Sequence, residues 1–187
     1  MAEVKILIKG QIQNEDGSQN YRPTMSLVRD GNITMVVDPG VLPDRNLLAE
    51  KLAGLSLTPA DVNFVFLTHS HFDHYANVAL FNKAKVLEYF GLWDVDKLTE
   101  RPKQLSPDIK IMPTPGHNNN SITALVKTDQ GVVAICGDVF WQEDYPVDDP
   151  YASNKDKLAA SRKLVMELAD YIIPGHGDIY KVKKNHK

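Results

Sequence analysis

The chain has 187 residues, 43% hydrophobic and 24% charged, with a formal net charge of −3. Those values suit one soluble globular domain over residues 1–187 with a sizeable core, and they give no electrostatic argument for gripping a long polyanion. A single cysteine, Cys136, excludes an internal disulfide and fits a reducing compartment.

Val4–Ile8 alternates and reads as a first strand, and the acidic start of MAEVKILIKG argues against a signal peptide. No apolar run approaches the length of a bilayer span. A cytoplasmic protein with no membrane association is expected. Residues Ile12–Arg22 are polar and read as a loop, with Asp16-Gly17 as a turn signal. Thr24–Arg29 and Ile33–Val37 flank Asp30-Gly31-Asn32, a hairpin signature, and the second run ends at Asp38-Pro39-Gly40.

Leu47–Leu55 has helical spacing, and Thr58-Pro59 caps a short turn. Val62–Leu67 is nearly continuous in apolar residues, as expected of a strand buried on both faces. A helix is expected over His74–Phe81, and strands over Lys85–Glu88 and Ile109–Met112, while 91–107 carries no clear pattern. Ser121–Val126 and Val132–Cys136 form a second hairpin, ending at Gly137-Asp138. Leu158–Leu168 is helical in spacing, with Ser153 or Asn154 as its cap. Tyr171–Ile173 is a last strand, closed by Pro174-Gly175-His176-Gly177. The basic tail, Lys181, Lys183, Lys184 and Lys187, reads as solvated charge.

The two halves share a weak repeat. Each has a hairpin ending in aspartate, then a helix, then Ala-Asp, then an apolar strand running out into histidine: Asp38 and His69 in one, Asp138 and His176 in the other. This pattern suggests two similar layers whose strand ends meet at one edge.

Three of the six histidines crowd into THSHFDH, residues 68–74. Imidazole and carboxylate are the ligand set of zinc and related first-row metals. His69 and His71, two residues apart, point the same way in an extended segment and suit one ion. Asp73 and His74 follow where the chain turns, and suit a second. A lone His117, His176 or Asp138 is more often a turn or capping residue. Burying three histidines and an aspartate without partners is costly, however, and that makes a metal site the better reading of the motif and raises the others with it. Cys136, in an apolar run, reads as a core residue rather than a nucleophile. Tyr75, Asn118, Asn119, Trp141 and Tyr145 adjoin site residues and are candidate pocket walls, and His186 looks incidental.

HSHFDH, Gly116-His117, Gly137-Asp138 and Gly175-His176, with Asp38 upstream, resemble the metallo-β-lactamase superfamily, and LTHSHFDHYANVALF and ADYIIPGHGDIYKV resemble its metallo-β-lactamase domain-containing protein 1 family. The resemblance implies an α/β (α+β) fold, a four-layer αββα sandwich. It implies a first metal on His69, His71 and His117, a second on Asp73, His74 and His176, Asp138 bridging both, and Asp38 bracing the metal loop. The cofactors expected are two divalent ions, zinc first, with iron or manganese as alternatives. The resemblance departs at Asn118-Asn119-Asn120-Ser121, where the family commonly follows Gly-His with threonine.

The reading is a hydrolase in which water held between two cations loses a proton near neutrality and attacks an ester, thioester, lactone, β-lactam or phosphodiester. Asp73 would steer the hydroxide and pass a proton to the leaving group. RNA is raised as a substrate by the narrower resemblance and lowered by the acidic charge and short length. The partners expected are a small-molecule or RNA substrate, and a homodimer stays open. The competing reading is a mononuclear iron oxygenase resembling persulfide dioxygenases; the intact Asp73, His74 and His176 set argues against it.

Overall fold

The computed structural model describes residues 1–15, 18–144 and 146–184, and the side chains of 13–19 fall outside that description. In chain order the first strands are β1 (Glu3–Ile8), β2 (Gln11–Glu15), β3 (Ser18–Arg22), β4 (Met25–Asp30), β5 (Ile33–Val37), β6 (Phe64–Phe66), β7 (Lys85–Glu88), β8 (Gly91–Asp94) and β9 (Lys97–Thr99). The remainder are β10 (Gln104–Ser106), β11 (Ile109–Pro113), β12 (Ile122–Thr128), β13 (Gly131–Gly137), β14 (Tyr171–Pro174) and β15 (Tyr180–Lys181). Helices are α1 (Asn46–Ala53), α2 (Phe72–Tyr75) and α3 (Lys155–Leu168), with 3-10 turns at Pro59–Asp61 and Val78–Leu80.

A seven-stranded sheet runs β1-β4-β5-β6-β7-β8-β9 and a six-stranded sheet runs β10-β11-β12-β13-β14-β15. Val28, Met35, Val37 and Phe66 of the first sheet pack against Ile111, Ile122, Ala124, Ile135 and Ile173 of the second. On the outer face of the first sheet, Leu48 and Leu52 of α1 cover Val36 and Val65. On the outer face of the second, Leu158 and Val165 of α3 cover Ala134, Cys136 and Ile172. The result is the expected four-layer αββα sandwich. Within β6, Val65 faces α1 and Phe66 faces the opposite sheet, both fully buried. This explains the unbroken apolar run there. Cys136 is buried under α3, and burial pushes its thiol well above its ordinary range.

The helix caps follow the local sequence. Asn154 accepts a hydrogen bond from the Lys157 amide at 2.9 Å and starts α3. The Asp61 carboxylate accepts from the Thr58 amide and hydroxyl, both at 2.7 Å, and closes the Pro59–Asp61 turn. No helix among the described residues is long and apolar enough to cross a membrane.

Two expectations are corrected, and one unassigned stretch takes form. The described part of Ile12–Arg22 is not a loop: β2 and β3 form an antiparallel ribbon in a two-stranded sheet of their own. A ribbon that satisfies its backbone by pairing with itself needs no apolar face, so no hydrophobic period marks it. Its Asp16-Gly17 tip lies outside the described residues, as do Tyr145, His186 and Lys187. The helix expected over His74–Phe81 is broken into α2 and the Val78–Leu80 turn, because the Asn77 amide bonds the Pro39 carbonyl at 2.8 Å. Residues 91–107 hold three short strands, whose exposed positions carry too few apolar residues to show a period.

The core assigns different weights to two leucines. Leu52, fully buried between α1 and the first sheet, should cost about 2–5 kcal/mol of stability when replaced by alanine. Leu168→Ala, at a 43% exposed position, should cost about 0.5 kcal/mol or less. Urea unfolding of both variants measures the difference.

Candidate metal centre

The topology delivers the candidate residues to one edge. β5 pairs in parallel with β6, and β13 with β14, so the carboxyl ends of all four strands can converge. Asp38 follows β5, Thr68 and His69 follow β6, Asp138 follows β13, and His176 follows β14. His117 enters from the turn between β11 and β12, and Asp73 and His74 from α2. The seams are hydrogen-bonded across the layers: the Ile122 amide donates to the Thr68 carbonyl at 2.8 Å, and the Thr24 amide to the Gly175 carbonyl at 2.6 Å.

Two donor groups form there. In one, His71 Nδ1 lies 3.0 Å from His69 Nε2 and 3.1 Å from His117 Nε2, and Asp138 Oδ2 lies 3.4 Å from His117 Nε2. In the other, Asp73 Oδ2 lies 3.6 Å from His74 Nε2 and 3.5 Å from His176 Nε2. Within each group the donor atoms stand within 4.8 Å of one another. Asp138 faces both, with Oδ1 3.3 Å from His74 Nε2 and Oδ2 3.3 Å from His176 Nε2.

The outward nitrogens are tied down, which fixes the ring orientations. His74 Nδ1 meets Asp38 Oδ2 at 2.8 Å, and His176 Nδ1 donates to the Arg22 carbonyl at 3.0 Å. His117 Nδ1 meets Asp149 Oδ2 at 2.7 Å, and His69 Nδ1 meets the Thr68 hydroxyl at 3.1 Å. Asp38 also accepts from the Thr68 amide at 2.8 Å and the Thr68 hydroxyl at 2.7 Å. To reach them it adopts a left-handed backbone with φ 48°.

Two of the inward atoms have no such partner. His74 Nε2 and Asp138 Oδ1 are buried and make no hydrogen bond, a costly arrangement for two polar atoms 3.3 Å apart. Burial and the neighbouring imidazoles His74 and His117 depress the pKa values of His69 and His71 respectively. Burial opposes charge on His74 and His176, yet the Asp138 carboxylate outweighs it and raises both, with Asp38 assisting at His74. Burial likewise opposes charge on Asp138, and the His176 and His74 rings overcome it and hold its carboxyl well below the usual range. Imidazoles crowded nitrogen to nitrogen around a buried carboxylate, two of them drawing protons toward it, fit a place that divalent cations would fill.

Glycine precedes two of the histidines for two different reasons. Gly116 has φ 139°, a conformation that strains a side chain, and it packs on the backbone of Leu158 at the start of α3. Gly175 has an ordinary backbone; a Cβ there would overlap Asp138 Oδ1.

A cleft of about 450 Å³ opens over both groups, walled by Tyr21, Phe72, Trp141 and Tyr151. Of the candidate wall residues, Trp141 takes its place. Tyr75 lies instead on a neighbouring cavity of about 240 Å³ beside His69. Asn118 and Asn119 serve their own loop, accepting from the Asn120 amide at 2.9 Å and the Ser153 hydroxyl at 3.3 Å. Burial, helped by a hydrogen bond to Tyr151, pushes the Tyr21 phenol up to about 12, so it is neutral near pH 7.

Sequence reasoning misses Asp149, which is 1% exposed. Burial opposes its charge, but hydrogen bonds from His117, the Tyr151 amide and Trp141 hold its carboxyl below the usual range. It sits in Val147-Asp148-Asp149-Pro150, which reads as a turn and bears no spacing relation to His117.

Asp38→Ala strands the Thr68 amide and His74 Nδ1 in a buried site. Urea unfolding should show a loss of about 1–3 kcal/mol for each orphaned group, where an exposed aspartate such as Asp178 should show about 0.5 kcal/mol or less.

Comparison with known proteins agrees with this geometry. A family profile described as the metallo-beta-lactamase superfamily matches residues 21–98. A metallo-beta-lactamase domain-containing protein 1 of Xenopus laevis is 31% identical over 97% of this chain and 82% of its own length. The Homo sapiens protein of the same name is 35% identical over 79% of this chain, and the match spans 59% of that longer protein. A putative metallo-beta-lactamase from Thermotoga maritima superposes with a TM-score of 0.75 at 23% identity, covering 96% of this chain and 99% of the other. The fold, the convergent histidines and aspartates and the extent of these matches lead to one assignment: the chain belongs to the metallo-beta-lactamase superfamily, as a hydrolase-type member grouped with the metallo-beta-lactamase domain-containing protein 1 family.

Proposed function

We propose that the protein is a hydrolase that works with two divalent cations, zinc being the first candidate. The observation that carries this reading is Asp138, whose two carboxylate oxygens face both donor groups from a fully enclosed position. His69, His71 and His117 would hold one ion, and Asp73, His74 and His176 the other. Cations so placed lower the pKa of a water molecule toward about 7 and polarise a substrate oxygen.

The chain's own groups do the rest. Asp38, Asp149, Thr68 and the Arg22 carbonyl engage the outer imidazole nitrogens and so aim the inner ones at the centre, where a cation would take the place of a proton. Asp73 is the least enclosed of the carboxylates here, with 22% of its side chain exposed to the cleft. That position suits it to orient a water and pass a proton to the leaving group. Cys136 is excluded as a nucleophile by its place under α3. The substrate class is an ester, thioester, lactone, β-lactam or phosphodiester, RNA included.

A panel of those substrates tests the reading. The zinc-loaded protein should turn over one class, and dialysis against a chelator should abolish the activity. His117→Ala and Asp138→Ala should each lower kcat/KM by about 10²-fold or more, whereas Cys136→Ala should change it less than about twofold. Activity that survives chelation, or a stoichiometry of one iron per chain with the second group of donors unused, contradicts the proposal. The second outcome points to the iron oxygenase.

A further inference from the structure

The proposed reaction leaves unexplained why so much aromatic surface stands at the mouth of the site. Phe72 is 66% exposed and Tyr151 57% exposed, among the more exposed large hydrophobic residues described. Single exposed aromatics are ordinary, but these converge on one cleft. Trp141 and Tyr151 stack with ring centroids 5.6 Å apart and an interplanar angle of 11°. Trp141 also meets His117 edge-on at 6.0 Å, and Tyr21 meets His176 edge-on at 6.0 Å, so the wall abuts both donor groups.

One carboxylate holds this wall. Asp149 Oδ2 accepts from Trp141 Nε1 at 3.1 Å and faces His117 Nδ1 at 2.7 Å, while Oδ1 accepts from the Tyr151 amide at 2.9 Å. Among the described residues lining the cleft there is no lysine or arginine. Away from the donor groups, a substrate carrying a string of carboxylates or phosphates would find aromatic faces there and no basic side chain.

Resting on the hydrolase reading, we infer that Asp149 joins the metal centre to an aromatic subsite: the carboxylate that orients His117 also fixes Trp141 and Tyr151, and these with Tyr21 and Phe72 take the uncharged, apolar part of the substrate. The class favoured is therefore a neutral ester, thioester or lactone with an alkyl or aryl group. Asp149 is a positioning residue, and Trp141 and Tyr151 are specificity residues.

Trp141 reports on its own subsite. The chain has two tryptophans, and the other, Trp93, lies on β8 with its indole bonded to Glu88. In zinc-loaded Trp93→Phe protein, Trp141 fluorescence is titrated with butanamide, hexanamide and octanamide. Burial of one methylene is worth about fourfold in affinity and half-burial about twofold, so Kd should fall at least about tenfold from the shortest amide to the longest. Emission that ignores all three amides, or a Kd that does not change with length, overturns the inference. Tyr151→Ala in this background should flatten the series to within about twofold; an unchanged series overturns it. Asp149→Asn should weaken zinc binding by about 10–100-fold and flatten the series in the same protein; one effect without the other overturns the link. An oligouridylate that quenches Trp141 at lower concentration than octanamide shows that the cleft is built for a polyanion and overturns the substrate class. Zinc stoichiometry is measured separately. Its loss in the parent protein sinks the hydrolase reading, while a flat amide series on fully loaded protein sinks only the subsite.

Discussion

Imidazole nitrogens crowded against one another around a buried carboxylate are the constraint on which the rest of this structure depends. His71 Nδ1 stands 3.0 and 3.1 Å from the inner nitrogens of His69 and His117, and Asp138 lies between the two groups, with Oδ2 facing His117 and His176 and Oδ1 facing His74. A proton on His71 Nδ1 serves at most one of these two neighbours, which leaves the other nitrogen unsatisfied, and burial deprives it of water. Divalent cations remove that penalty. The hydrogen bonds on the outer nitrogens of His69, His74, His117 and His176 suit that arrangement, because they aim the inner nitrogens at the centre.

The architecture follows from the need to bring these donors from distant segments. Each sheet contributes a parallel strand pair whose ends lie at the shared edge, and each pair is preceded by a hairpin and bridged by a helix on the outer face. The core between the sheets fixes the distance across which His74, held by Asp38, meets Asp138. Close backbone approach does the fine adjustment. Gly175 lets the His176 turn lie against Asp138, and Gly116 lets the His117 turn lie against the start of α3. A strained Asp38 backbone is tolerated because three hydrogen bonds hold its carboxylate in place.

Much of this is legible in the chain. THSHFDH has no bland explanation, and once it is read as a ligand cluster, the histidines after Gly116 and Gly175 and the aspartate after Gly137 gain meaning. The repeat of hairpin, aspartate, helix, Ala-Asp and apolar strand marks the two layers, since period and turn chemistry are local signals. What stays hidden has a common cause. The Arg22 carbonyl that orients His176 is backbone and has no side-chain signature. Asp149 lies 32 residues from His117 and looks like a turn acid. β2 and β3 pair with each other and their sequence carries no hydrophobic period, so Tyr21 gives no hint that it borders the site. The break after α2 comes from a tertiary hydrogen bond between Asn77 and Pro39 that no local pattern announces.

The aromatic wall and the metal centre share Asp149, which makes recognition and chemistry parts of one hydrogen-bonded unit rather than neighbours by accident. The most direct test of the central claim is an anomalous difference map from crystals grown with zinc. The account predicts two peaks about 3.5–4 Å apart, one among His69, His71 and His117, the other among Asp73, His74 and His176, with Asp138 between them. A map with no peak at these residues, or with the donors of either group turned away from a common point, would contradict it.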